Sequence, residues 1–235
     1  MSKAARPAGR LARLVGRARR ALAGLNLSER LAVAVIAFFV LVGCAFLGHG
    51  LYIKAKAELA QILLERAWTR TLAGAPHARP WTWADMWPVA RLDMPRLGRS
   101  AIVLNAASGE AMAFGPGHLQ RSPLPGQAGI SVIVAHRDTH FAFLKHVRPK
   151  DILRITLADG RPRRYRVSGF EVVEADASGI EAHVPGPSKL ALVTCWPFGA
   201  LSGGSLRYVV HAEAEPGPVR SAEIRWRTPG EGLSP

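Results

Sequence analysis

Between residues 31 and 53 the chain reads LAVAVIAFFVLVGCAFLGHGLYI, with no Asp, Glu, Lys or Arg. An apolar run of this length matches the roughly 20 residues a helix needs to cross a bilayer core, and it predicts a transmembrane anchor over 31–53. Residues 51–74 then take up helical spacing. Leu59, Ile62, Leu63, Ala67 and Leu72 fall near one face, and Gly74 is a natural stop. This predicts a juxtamembrane helix, followed by a linker to residue 88 that is broken by Pro76, Pro80 and Pro88 and holds Trp81, Trp83 and Trp87. The three tryptophans suit either an interfacial belt or packing over the next domain, and packing is the reading adopted.

From about residue 89 the pattern changes to short β-like runs. VARLDM (89–94) and AIVLN (101–105) are strands, and the Gly/Pro-rich FGPGHLQRSPLPGQAG (114–129) is loop. ISVIVAH (130–136) is a nearly continuous apolar run, a central strand by length and β-branching. THFAFLKHV (139–147) is a helical turn or short helix. Residues 151–176 form a hairpin turning at Asp159–Gly160. A loop (177–188), a strand KLALVTC (189–195), a loop (196–205) and a last strand LRYVVHAEAE (206–215) complete the domain. Closely spaced strands with turn chemistry between them predict an all-β barrel or sandwich over 89–215. The Pro-, Gly- and charge-rich residues 216–235 predict a disordered tail.

Charge settles the topology. The chain of 235 residues is 49% hydrophobic and carries a net charge of +14. Residues 1–30 hold eight basic side chains against Glu29 alone, half of the total. A basic flank on the N-terminal side of an apolar span is positive-inside topology, which predicts a cytoplasmic N-terminus and a domain on the far side of the inner membrane. Nucleic-acid binding is not needed to explain the charge. A cleaved signal peptide competes through Ala55–Ala57, but the basic region and the apolar run are both longer than a signal's, and an uncleaved anchor is preferred.

Topology sharpens the meaning of the two cysteines. Cys44 sits at membrane depth, where it reads as a small hydrophobe. Cys195 ends a strand on the extracytoplasmic side and has no partner to pair with, so it is either a reactive thiol or an inert buried residue. Nucleophilic work requires a thiolate, a proton partner and, for acyl transfer, donors that hold an oxyanion. His136 ends one predicted central strand and Arg207 lies on the strand after Cys195. If those strands emerge on one side of a barrel, the three meet at its rim.

Taken in order, VIVAHRDTHF, LVTCWPF and LRYVV resemble the histidine, TLxTC cysteine and arginine motifs of the sortases. The similarity runs on through GPGHL and PGQAG over roughly residues 89–214, and AHRDTHF with TCWPF is most similar to the class D-like sortases of Gram-negative bacteria. Ala135 departs from the glycine that many relatives have before the histidine. The resemblance implies a mainly β fold, a sortase-type closed β-barrel with short helices behind the anchor. It implies a cysteine transpeptidase in which Cys195 attacks the backbone carbonyl of an LPxTG-like sorting signal on an exported protein. His136 serves as general acid and then base, Arg207 stabilises the oxyanion, and an amine acceptor of unknown identity takes the acyl group. His⁺ and Arg⁺ beside a thiolate are the physical reason for such clustering. Ile180 and Val184, in the loop before the cysteine strand, and Thr194 beside the cysteine are candidate substrate-binding residues. No cofactor, metal or nucleic acid is implied.

Four rivals remain. HRDTH spaces His136 and His140 as zinc ligands are spaced, but the zincin pattern needs a helix and a Glu where Arg137 stands. A papain-like protease runs Cys before His, the reverse of the order here. A membrane-tethered β-domain that scaffolds an envelope complex leaves Cys195 inert, and simple hydrolysis by the same site differs only in its second nucleophile. Asp138 reads as a solvated turn carboxylate.

Overall fold

The computed structural model describes residues 24, 26–175, 186–200 and 202–216. Most of the basic arm, the predicted tail from 217, and Ile180 and Val184 lie outside the described residues. The chain divides into two units, Met1–Ala57 and Glu58–Pro235.

Where the pattern predicts an anchor and then a second helix, there is one uninterrupted helix, α1 (Leu27–Leu72). No proline falls within it, and Gly43, Gly48 and Gly50 each cost only about 1 kcal/mol in a helix interior. Its 46 residues extend about 70 Å at 1.5 Å per residue. In the first unit Leu31, Phe38, Phe39, Leu41, Phe46 and Leu47 are exposed, a surface suited to lipid, and the helix is long and apolar enough to cross a membrane.

In the second unit the end of α1 buries Ala60, Leu64, Ala67, Trp68 and Thr71. That face is rotated from the expected one, since Leu59 and Ile62 are more than half exposed. Apolar residues surround this stretch of helix, so spacing alone offered two faces. Leu64 and Trp68 join Met86, Ile102, Leu104 and Ala111 in a cluster that also holds Trp81, packed edge-on to Phe114 at 5.1 Å. Glu65 pairs with Arg91 at 3.1 Å. Trp87 packs on His77, whereas Trp83 is 80% exposed and does not take part in the expected packing.

The described strands close into a barrel: β1 (Pro88–Met94), β2 (Arg99–Leu104), β3 (Gly117–His118), β4 (Gly129–Val134), β5 (Ile152–Leu157), β6 (Pro162–Glu174), β7 (Ser188–Cys195) and β8 (Leu206–Ala214). Their spatial order is β1-β2-β3-β4-β7-β8-β6-β5, with β5 returning to β1. Closure removes the unpaired edges that a sandwich would keep. Alternating residues fill the interior, among them Leu92, Ile133, Leu153, Tyr165, Leu190, Leu192 and Val210.

The hairpin, the central strand and the last two strands fall where the pattern puts them. The Gly/Pro-rich stretch is not all loop, because β3 lies inside it, and α2 (Gly109–Met112) precedes it. β3 is only two residues long, too short for any periodicity. A Cβ on Gly117 would stand 2.2 Å from the Ala106 carbonyl, so glycine is required for the strand to dock there. The residues that follow are pinned from inside: Ser122 Oγ accepts from the Val132 amide at 3.0 Å, and the Gly126 amide donates to Tyr165 at 2.9 Å. Below the β4–β5 connection, Arg96 grips Asp151 through Nε (2.6 Å) and Nη2 (2.7 Å), and the Arg148 amide donates to the same carboxylate at 2.8 Å.

Candidate active site

β4 and β7 pair in parallel, with Ile130 opposite Lys189 and Val134 opposite Val193. Parallel pairing puts the C-terminal ends of both strands on one side of the barrel. The ladder runs one bond past β4, from the Ala135 amide to the Val193 carbonyl (3.1 Å). The register, continued, sets His136 beside Cys195. On its other side β7 pairs antiparallel with β8, and Cys195 stands directly across from Arg207. Three adjacent strands therefore deliver imidazole, thiol and guanidinium positions to one rim.

The pleat decides which face they share. Leu190 and Leu192 point into the core, whereas Ala191 packs on the outside with Val132 and Val209. Cys195 follows Ala191 and Val193 at steps of two, so it belongs to the outer face, as do Arg207 beside Val209 and His136 beyond Val134. Cys195 is half-buried, His136 is exposed and Arg207 is half-buried. The guanidinium of Arg207 donates through Nη1 to the carbonyls of Gly204 (2.7 Å) and Leu206 (2.9 Å). An apolar strip of Ile130, Val132, Val134, Ala191, Val193 and Val209 runs along the outer face toward the sulfur.

Thr194 differs from its expected role. It is only 1% exposed, and its hydroxyl donates to the Ala135 carbonyl at 2.7 Å. An inward side chain that ties β7 to the residue before His136 cannot line a substrate groove; it sets the spacing of the two strand ends. Asp138 is 67% exposed and lies 3.4 Å from Arg137 Nε, a solvated turn carboxylate as read. His136, His140 and His146 fall on a strand end, a loop and a 3₁₀ turn (Ala142–His146), so they do not share the helix a zincin requires. His140 is partly buried and bonded to the Ala113 backbone, and desolvation holds its pKa below the usual imidazole value, with His136 nearby adding to the effect.

Two features escaped the sequence reading. Arg137, considered there only as the residue that spoils a zinc pattern, is 6% exposed. Its Nη1 donates to the Pro197 carbonyl at 2.9 Å, and its Nη2 donates to the carbonyls of Ala200 and Ser202. The residue after His136 thus holds the connection between Cys195 and Arg207. No periodicity announces this, because such a cation in a turn looks like any solvated arginine. The second feature is an aromatic wedge beside the cysteine. Trp196 stacks on Tyr208 (5.6 Å) and Phe198 meets the same ring edge-on (5.3 Å). Burial pushes the Tyr208 phenol up. WPF stands in the quoted motif, but its partner ring is supplied only by the β7–β8 register.

The described strands thus form a closed, mixed β-barrel with a free thiol at the end of one strand and with histidine and arginine positions carried by its two neighbours. Residues 92–215 match the sequence profile of the Sortase domain, and the chain belongs to the sortase family. It is similar to Sortase D of Bacillus subtilis, with 25% identity over 122 residues, 52% of this chain and 61% of that one. The chain thus matches under two thirds of that curated relative's length. Among solved structures, sortase C-1 of Actinomyces oris is 28% identical with a TM-score of 0.50, covering 55% of this chain and 76% of that one. Sortase A of Corynebacterium diphtheriae, 23% identical with a TM-score of 0.52 over 68% and 86% of the two chains, shares the fold. Structural neighbours thus come from more than one sortase class, and fold alone does not choose between them.

Proposed function

We propose that this protein is a membrane-anchored cysteine transpeptidase acting on an LPxTG-like sorting signal of an exported protein. The observation that carries the reading is the pairing of Cys195 with Arg207 on one side of β7 and, on the other, the parallel β4–β7 ladder that leads toward His136. In the first step the Cys195 thiolate attacks the scissile carbonyl, and the C–N bond breaks as the His136 imidazolium gives its proton to the leaving amine. The product is a thioester to Cys195. In the second step the acceptor amine attacks that thioester, its proton passes to the His136 imidazole, and the thiolate leaves. Arg207 offers positive charge to the oxyanion of both tetrahedral intermediates. The apolar outer strip suits the hydrophobic residues of the signal, with Ile180 and Val184 as candidate contacts beyond it. The basic arm and the apolar helix support a single span with the N-terminus in the cytoplasm and the barrel outside the inner membrane. The similarity of AHRDTHF and TCWPF to class D-like forms supports that assignment.

The test is mass spectrometry of Cys195 after incubation with a peptide bearing such a signal. The expected adduct is the acyl fragment on Cys195, lost in Cys195→Ala and reduced at least 100-fold in His136→Ala and Arg207→Ala, and released as an amide on adding an amine. An unlabelled Cys195 that also resists thiol reagents would sink the enzyme and favour a scaffold. Release only as the free acid would identify a hydrolase.

A further inference from the structure

A second cleft lies between the start of β2 and the 139–146 segment that follows His136, with a volume of about 420 Å³. Neither His136, Cys195 nor Arg207 lines it. A cleft of this size falls in the range of about 300–1,000 Å³ typical of small-molecule sites and far exceeds the ~30 Å³ share of one water. Its apolar wall is formed by Leu97, Ala101 and Phe143. Its polar wall carries Arg99, Lys145, His140 and His146, with the hydroxyls of Ser100 and Thr139 as neutral donors, and no carboxylate is among the lining residues.

The neighbouring acids are already engaged. Asp93, across from Ser100 in the β1–β2 register, pairs with Arg91 at 3.5 Å, and Asp151 is gripped by Arg96. Among the described residues no carboxylate pairs with Arg99 or Lys145. Two permanent cations therefore face a recess without internal compensation, and a guanidinium next to an ammonium is chemistry that recognises phosphate oxygens. The apolar wall calls for an organic body behind the anion rather than a bare ion.

We propose that this cleft binds a phosphate ester, with Arg99 and Lys145 on the phosphate oxygens and Leu97 and Phe143 against the ester's organic part. The phosphate is carried either by a soluble ester or by a lipid headgroup. The test uses the full chain in uncharged detergent, titrated with glucose 1-phosphate and, in a separate arm, with short-chain phosphatidic acid added to the micelle. The readout is local: the amide resonances of Ser100, Thr139 and Lys145. Saturable shifts of these amides are expected with at least one of the two probes, and the responding probe identifies the source. Arg99→Ala/Lys145→Ala should weaken binding at least tenfold, and Arg99→Lys/Lys145→Arg should retain it. Arg13→Ala/Arg17→Ala, which thins the basic arm, should leave the shifts unchanged. No local shift with either probe overturns the proposal. So does equal affinity in the alanine pair, or loss of the shifts in the arm variant alone.

Discussion

Arg137 is the most informative single residue to change. Its guanidinium is buried and donates to the carbonyls of Pro197, Ala200 and Ser202, which lie on the connection joining Cys195 to Arg207. Arg137→Met keeps the apolar stem and removes the donors. A hydrogen bond from a charged donor contributes about 1.5–3 kcal/mol net, but these loop carbonyls are open enough for water to replace part of that. Taking about 1 kcal/mol for each of the three bonds gives about 3 kcal/mol, roughly a 100-fold shift toward an open connection. Arg137→Lys should lose nearly as much, because one compact ammonium cannot fork across three carbonyls. Hydrogen exchange reads the effect at the Trp196 amide, bonded to the Leu206 carbonyl at 3.0 Å, which should exchange about 100-fold faster while amides of β4 and β7 stay protected. Acyl-enzyme formation on Cys195 should fall 10- to 100-fold in parallel. Unchanged protection at Trp196 together with unchanged acylation would refute the reasoning, as would loss of protection throughout the barrel.

Thr194→Val keeps the shape of a buried side chain and removes its bond to Ala135. It should cost about 1–3 kcal/mol of stability in a thermal melt, because the Ala135 carbonyl loses its donor, and acylation should slow more than a mere loss of folded protein explains. Asp151 is held below the usual carboxylate range, chiefly by its bond to Arg96. A depressed folded pKa contributes stability that is present above the unfolded carboxylate value of about 3.9 and is lost as pH falls through the lower folded value. The melting temperature should therefore drop below pH 4 more steeply in the wild type than in Asp151→Asn, which starts lower at pH 7; parallel profiles would count against the clamp.

The strands that carry the site were legible because each has a strong local signature. ISVIVAH and KLALVTC are too β-branched and apolar to be surface elements, and turn chemistry brackets the 151–176 hairpin. His136, Cys195 and Arg207 were legible as strand-end residues, but their shared face was not. It depends on β4 and β7 running parallel, a relation that no local pattern encodes. Thr194 was misplaced for the same reason, since one step along a strand separates an outward residue from an inward one. The helix face was misjudged because Leu59, Ile62 and Leu64 are all apolar and only the tertiary partner selects among them. The role of Arg137 and the Trp196–Tyr208 stack exist only through contacts between segments that tertiary pairing brings side by side.

The pairing of β4 with β7 joins positions far apart along the chain, as the Thr194–Ala135 bond across 59 residues shows. Closing the chain over such a separation costs more entropy than closing the nearer β7–β8 hairpin, and long-range pairing is intrinsically slow. Until the β4–β7 pairs form, Cys195 has Arg207 across the β7–β8 hairpin but not the His136 strand on its other side. On the proposed reading the site is thus unfinished in a half-built chain, and is completed only when the last staves of the cask come together.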